Sequence, residues 1–239
     1  MSRYQDGASA APWAMTIATA ERLPKSDPAY PGQADYTPGF LRVYDPLVLG
    51  VANRHVWRCP TDEVLRLYEE HVSGAHLDVG PGTGYYLDRC RLAQPPSLTL
   101  LDINPDVLEV AATRLARLEP RVHQANLLEP IDLEPATFDS IALTHVLHCL
   151  PGTLADKGLV LDHLAALLRP GGTLFGSTIL AQGVAHTPVS KALLRFLNGR
   201  GVFGNRYDDR DGLERCLAQR FAAHEIRIVG SVALFVAQA

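Results

Sequence analysis

Long apolar runs are missing from this chain of 239 residues. No stretch approaches the roughly 20 consecutive apolar residues that span a bilayer. The opening MSRYQDGASAAPWAMTIATAERLPK holds no apolar block of secretory-signal length. The expectation is a soluble, cytoplasmic protein with no membrane partner. Cysteine is scarce: Cys59, Cys90, Cys149 and Cys216 are all there are, and no two form a CxxC pair. Zinc sites and disulfide scaffolds need closer or more numerous cysteines, so the four read as free thiols, most of them buried, in a reducing compartment. Basic excess is missing too. The formal net charge is −4, whereas a nucleic-acid binder carries a basic domain or stripe. What is present is 47 % hydrophobic and 20 % charged, an ordinary globular composition with enough apolar side chains for a sizeable core. The length fits one α/β domain, or one such domain with a small cap.

Three regions follow from composition and period. Residues 1–35 are rich in Ala, Ser, Pro and Gly, without a period, and read as an arm that is either loose or folded over the rest. Residues 36–73, YTPGFLRVYDPLVLGVANRHVWRCPTDEVLRLYEEHVS, carry two helical patterns and read as a helical cap or lid. One pattern spans about Gly39–Leu49. The other starts after Pro60, with Thr61 as N-cap and Val64, Leu65, Leu67, Tyr68 and Val72 as its apolar face. From residue 74 to 239 the chain alternates. AHLDVG, SLTLLD, Arg121–Gln124, Phe138–Thr144 and Gly172–Leu180 read as strands. Gly84–Arg91, Pro105–Leu118 (capped by Asn104), Thr153–Leu168 (stopped by Pro170 and Gly171), Val189–Leu197 and Arg210–Phe221 read as helices. HEIRIVG and SVALFVAQ close the chain as two strands with no helix between. The expected fold is a Rossmann-like doubly wound mixed sheet of about seven strands, with helices on both faces and an antiparallel C-terminal hairpin edge.

The stretch HLDVGPGTGYYLD, His76 to Asp88, places Gly80, Gly82 and Gly84 between a strand and a helix. Such a turn commonly holds a cofactor, although the same glycines also serve a plain tight turn. A dinucleotide site needs G-x-G-x-x-G, with its last glycine inside the helix; here that position is Tyr85. Asp78, two residues ahead of the turn, would repel a pyrophosphate and attract a cationic amino group.

An acid followed by G-x-G-x-G resembles motif I of the class I S-adenosylmethionine-dependent methyltransferases. The resemblance continues in order along the chain. LLDINPDVLEVA is similar to the second motif, HQANLLEP to the third, FDSIALTHVLHCLPG to the fourth strand and its loop, and LRPGGTLF to the turn into the fifth. It implies S-adenosyl-L-methionine as cofactor. It also implies a set of holding residues: Asp78, Gly80, Pro81, Gly82, Thr83 and Gly84 at the methionine end, Asp102 with Ile103 and Asn104 at the ribose, and Asn126 and Leu127 at the adenine. A carboxylate suits a cis-diol because it accepts two hydrogen bonds. Many family members carry Asp where this chain has Asn126, whose carbonyl oxygen accepts equally well. Segment 36–57 loosely resembles the N-terminal helix of small-molecule methyltransferases of the quinone-biosynthesis type, which implies cofactor contacts from Tyr36 and Tyr44. An N-P-P-Y-like sequence is missing after the fourth strand, as are the paired glutamates of the arginine enzymes. No acid occurs from Ser140 to Ala155, which argues against catechol-type magnesium and leaves no metal expected.

Methyl transfer from a sulfonium is a one-step in-line displacement, so holding the reactants aligned does most of the work, worth roughly 7–11 kcal/mol in favourable cases. A base is needed only where the acceptor loses a proton. His145 and His148 follow the fourth strand, at the sheet end where ligands bind, and either suits that role by its ordinary pKa; packed loop histidines are the competing reading. Thr144 and His145 are further candidates for cofactor contact. Phe40, Trp57, His148, Phe196 and Phe203 are candidate acceptor-binding residues, against plain core packing for the aromatics and an ordinary surface loop for 196–209. The leading expectation is methylation of a small, partly apolar metabolite, with oxygen weakly favoured by the histidines and nitrogen or carbon open. An NAD-dependent oxidoreductase and a non-catalytic S-adenosylmethionine-binding module are the alternatives. The oligomeric state, monomer or homodimer, stays open.

Overall fold

The computed structural model describes residues 20–239. Seven strands form one sheet in the order β3-β2-β1-β4-β5-β7-β6. They are β1 (Ala75–Val79), β2 (Ser97–Asp102), β3 (Arg121–Gln124), β4 (Phe138–Thr144), β5 (Leu168–Ile179), β6 (Ala223–Val229) and β7 (Val232–Gln238). The first five run parallel; β7 joins β5 antiparallel and β6 pairs with it as a hairpin across Gly230 and Ser231. Central β1 and β4 are buried along nearly their whole length, which suits apolar strands covered on both faces. Strand order reverses at β1, which has β2 on one side and β4 on the other. That opens a crevice at the carboxyl ends of these strands.

The N-terminal region departs from the expected pair of cap helices. After a short helix α1 (Tyr30–Gln33), helix α2 (Pro38–Tyr44) starts from the Thr37 side chain, whose Oγ1 accepts from Phe40 N–H. It then widens into a π-helical stretch, Asp45–Val56, closed by Trp57 N–H donating to Ala52 O. The helix therefore runs beyond Leu49. Helix α3 (Thr61–His71) follows, and here the expected cap is corrected. Pro60 is the N-cap, while the Thr61 hydroxyl donates to Leu49 O at 2.5 Å and ties α3 back to the π-helical stretch. Val64, Leu67 and Tyr68 of α3 bury in one cluster with Leu98, Leu100 and Phe175 of the sheet. That helix packs against the sheet.

Helix α4 (Tyr85–Arg89) is shorter than expected. In α5 (Pro105–Arg114), Asn104 caps as expected, its Oδ1 accepting from Asp106 N–H at 2.9 Å, and the predicted end at Leu118 is a separate 3-10 turn, Ala116–Leu118. Helix α6 (Leu154–Leu167) opens with a capping box of Thr153 and Asp156. It ends before Pro170, because Leu168 already pairs with Phe138 across a register shift and β5 starts there. Helices α7 (Pro188–Gly199) and α8 (Arg210–Ala218) complete the layers. Cys59 and Cys216 are buried, Cys90 and Cys149 half-buried, and all four are free. No helix of the described residues is long and apolar enough to cross a membrane.

Candidate active site

A cavity opens at the carboxyl ends of β1, β2 and β4. Gly80, Gly82, Asp102, Ile103, Asn104, Asn126, Leu127, Thr144 and His145 line it, joined by Tyr36 and Tyr44 from the N-terminal region. The glycine turn is shaped by backbone alone. Gly80, Gly82 and Gly84 have φ of +65°, +57° and +74°. A Cβ on Gly80 would come within 2.4 Å of Val146 Cγ2, and one on Gly84 within 3.1 Å of Leu115. The third glycine thus allows the close approach of α4 to α5 and does not face the cavity. Gly80 N–H donates to Leu101 O at 2.8 Å, which fixes the turn to β2.

Several expected residues stand behind this wall. Asp78 is buried, and its Oδ1 accepts from Tyr68 Oη at 3.0 Å; the same hydroxyl lies 3.0 Å from Thr144 Oγ1. Burial pushes Asp78 up to about 7. Thr83 faces away from the cavity: its hydroxyl donates to Asp45 Oδ1 at 2.6 Å, and Arg114 bonds both residues. Pro81 accepts at its carbonyl from Gly84 N–H. These contacts order the turn and lock it to the π-helical stretch.

Asp102, at the end of β2, accepts from Asn104 N–H at 2.8 Å with Oδ1. Burial pushes the carboxyl up to about 7, against backbone N–H groups of Asn104 and Ile103 that favour its ionised form. A carboxylate that borders the cavity, with up to four lone-pair sites on two oxygens, fits a vicinal diol. Asn104 itself is spent on the scaffold: Nδ2 donates to Gln33 O and Tyr36 O. Asn126 Oδ1 already accepts from Leu128 N–H at 3.1 Å and keeps its second lone pair. Segment 20–35, expected to be either loose or folded over, folds over: Ala29, Gly32 and Gln33 line the cavity, and Arg22 forms a two-pronged pair with Asp106 at 2.7 and 2.8 Å. Residues 1–19 of the expected arm lie outside the described residues. The sequence reading missed this wall, along with Val146, Cys149 and Leu150, because segment 20–35 has no period to betray a face.

The two histidines differ. His145 lines the cavity with φ of +58°, unusual for a residue with a side chain. Its N–H donates to Ser177 O at 2.8 Å, and its Nε2 is buried without a hydrogen-bond partner among the described residues. Burial pulls it down to about 4, so the ring is neutral at physiological pH. His148 does not reach the cavity. It lies beneath the Leu147–Cys149 turn, and its Nδ1 accepts from Ile179 N–H at 3.2 Å. The expected acceptor-side aromatics also lie elsewhere. Trp57 packs on Phe203 at 6.1 Å between centroids, and Phe203 on His148 at 4.6 Å, all buried. Phe196 is 57 % exposed on α7. Phe40 packs edge-on against Tyr36 and Tyr44 and is not part of the cavity wall. Cys149 borders the cavity, but burial pushes its thiol up to about 12, which leaves it without nucleophilic character. Among the described residues no three His, Cys, Asp or Glu stand together as a metal site.

Residues 77–174 match the family model of a methyltransferase domain. The chain is 38 % identical over 205 residues to demethylluteothin O-methyltransferase of Streptomyces thioluteus, covering 85 % of this chain and 89 % of that one. It is 34 % identical over 217 residues to the physcion biosynthesis cluster O-methyltransferase of Aspergillus chevalieri, covering 90 % and 98 %. A Haemonchus contortus phosphoethanolamine N-methyltransferase, solved in complex with S-adenosyl-L-methionine, shares the fold with a TM-score of 0.63 at 15 % identity, covering 86 % of this chain and 47 % of that one.

Proposed function

Because the chain belongs to the S-adenosylmethionine-dependent methyltransferases, we propose that it methylates an oxygen of a small, partly apolar metabolite, with His145 receiving the proton the acceptor gives up. The observation that carries the proton role is that His145, whose buried Nε2 has no hydrogen-bond partner among the described residues, lines the same cavity as Asp102 and the glycine turn. Asp102 would hold the ribose diol, Asn126 and Leu127 the adenine, and the Gly80–Gly84 backbone the methionine end. Bound there, S-adenosylmethionine supplies a methyl group already activated by positive charge.

The chain's own task is placement. Tyr36 and Tyr44 line the cavity with their rings 5.7 Å apart, Tyr44 beside Gly82, where aromatic faces stabilise a neighbouring cation. An acceptor hydroxyl that gains a methyl group becomes a strongly acidic oxonium. A neutral imidazole takes its proton even with a basicity lowered by burial. Segments 29–36 and 144–150 supply the rest of the cavity wall. Homologues that methylate oxygen in secondary-metabolite clusters support the acceptor atom. The dinucleotide alternative finds no support, since Tyr85 stands where a dinucleotide turn needs its third glycine. The acceptor is a small molecule; no nucleic-acid partner is proposed, and neither is an obligate partner copy.

The test combines the purified protein, donor with an isotope-labelled methyl group, and hydroxylated and amine-bearing aromatic acceptors. The expected product is a methyl ether. An N- or C-methyl product overturns the oxygen assignment. His145→Gln that keeps full turnover overturns the base.

A further inference from the structure

We propose that the buried Lys157–Asp208 ion pair is a clasp that positions the Val146–Leu150 turn for methyl transfer, by pinning the Val202–Asp208 loop beneath it. Lys157, on α6, is 1 % exposed and Asp208 0 %. Lys157 Nζ donates to Asp208 Oδ2 at 2.7 Å and to Gly204 O at 3.0 Å. Gly204 N–H in turn donates to His148 O at 2.9 Å. Gly204 sits so close to the turn that an added Cβ would stand 2.1 Å from Leu150 O. Asp208 O accepts from Ala181 and Gln182 N–H, and Asn205 Nδ2 donates to Ile179 O at 2.8 Å. The Ile179 N–H closes the circuit at His148 Nδ1. One ammonium thus ties together α6, the loop, the end of β5 and the turn that carries His145, Val146, Cys149 and Leu150 to the cavity.

Stability alone does not account for the pair. Two charges taken fully out of water seldom add net stability, and well-packed apolar residues of similar volume often do as well or better. Asp208 Oδ1 is buried with no hydrogen-bond partner among the described residues, so solvation of the pair is incomplete. What an ion pair adds over an apolar contact is direction: two hydrogen bonds from one nitrogen fix the loop at Gly204 O and Asp208 Oδ2. Lys157 also lies within electrostatic reach of both His148 and Cys149 of the turn. It touches neither cavity nor reactants, so it acts as a positioning residue.

The inference rests on the methyltransferase reading, and the test separates the two. Wild type and Asp208→Asn are compared for cofactor binding by calorimetry, for turnover with labelled donor on orcinol, naphthol and hydroxypyrone, and for amide exchange of the cofactor-bound protein. Asp208→Asn is expected to keep its S-adenosylmethionine Kd within about twofold while kcat falls about tenfold or more. Exchange should quicken at 147–150 and 203–205 and stay unchanged at Gly80–Gly84. Wild-type kcat in the folded variant, unchanged exchange at 147–150, or loss of cofactor binding in step with kcat each overturn the clasp. If Asp208→Asn does not fold, the apolar pair Lys157→Met with Asp208→Leu is used. A folded double variant with low kcat supports the clasp, and one with wild-type kcat overturns it. A wild type that neither binds the cofactor nor methylates any probe rejects the methyltransferase reading; one that binds but methylates none leaves the exchange readout to decide the clasp.

Discussion

At position 102 a carboxyl sits at the mouth of a cavity with its proton held until about pH 7. Its ionised form accepts two hydrogen bonds and its neutral form fewer, so S-adenosylmethionine should bind more weakly as pH falls below 7. Each unit below that value costs about tenfold at the limit. Calorimetry at pH 5.5 and pH 8, in buffers of different ionisation enthalpy, should show the weakening and a proton released on binding near neutrality. Equal Kd values would sink the assignment. Asp102→Asn should weaken binding and flatten this dependence. At position 145 the expected loss is in turnover: His145→Gln should keep cofactor affinity and lower kcat by about 10²–10⁴-fold, the usual worth of a positioned base. The resemblance of LLDINPDVLEVA to the second motif, with its acid at the end of the second strand, made Asp102 legible in the sequence. The difference between His145 and His148, three residues apart, was not legible. It follows from a positive φ at one and a backbone N–H from Ile179 at the other.

Among the elements, the glycine turn is the most exacting. Gly80→Ala meets both strain at φ +65° and the Val146 methyl at 2.4 Å. Gly171→Ala meets strain at φ +78° with nothing within 4 Å. The second should cost about 1 kcal/mol of stability. The first should cost more and also abolish cofactor binding, because the turn backbone must shift. Thermal unfolding with and without S-adenosylmethionine checks both; equal losses would contradict the packing argument. The strand–turn–helix pattern was readable from its alternation of apolar runs and glycines. The join of α2 to the π-helical stretch was not, since the apolar spacing there fits either winding and Trp57 N–H selects Ala52 O only in the packed fold.

For the whole molecule, acid stability follows from its buried histidines. His76 and His145 are pulled down to about 3 and about 4, and His148 lies well below its ordinary value, all by burial. Between pH 6.5 and about 4 the unfolded chain binds protons at these three that the folded chain refuses, so they make stability fall as pH falls. Asp78 and Asp102, raised to about 7, hold protons in the fold that the unfolded chain releases above about pH 4. Their contribution has the opposite sign. Burial also lowers His71, His123 and His186 and raises Asp208, so six histidines against three carboxyls leave a net loss on acidification, about 1.4 kcal/mol per pH unit for one proton. Urea midpoints should drop from pH 6.5 to 4.5, and His76→Phe should flatten the slope; a midpoint that rises would refute the balance.

The succession of strands and helices along the chain, the closing hairpin and the glycine turn were legible in local sequence, and the cofactor class in the resemblance of five motifs in order. Apolar period, turn residues and an acid at a strand end act over a few neighbours, and each carries its meaning with it. Which side chains share the cavity was decided only by the tertiary structure. Segment 20–35 shares the cavity with Asp102 and pairs with Asp106 from across the chain, Asp78 turns to Tyr68, and Phe203 packs between Trp57 and His148 instead of on an acceptor. Those placements depend on which apolar faces find one another when the helices pack, and such long-range choices leave no periodic trace in the residues that make them.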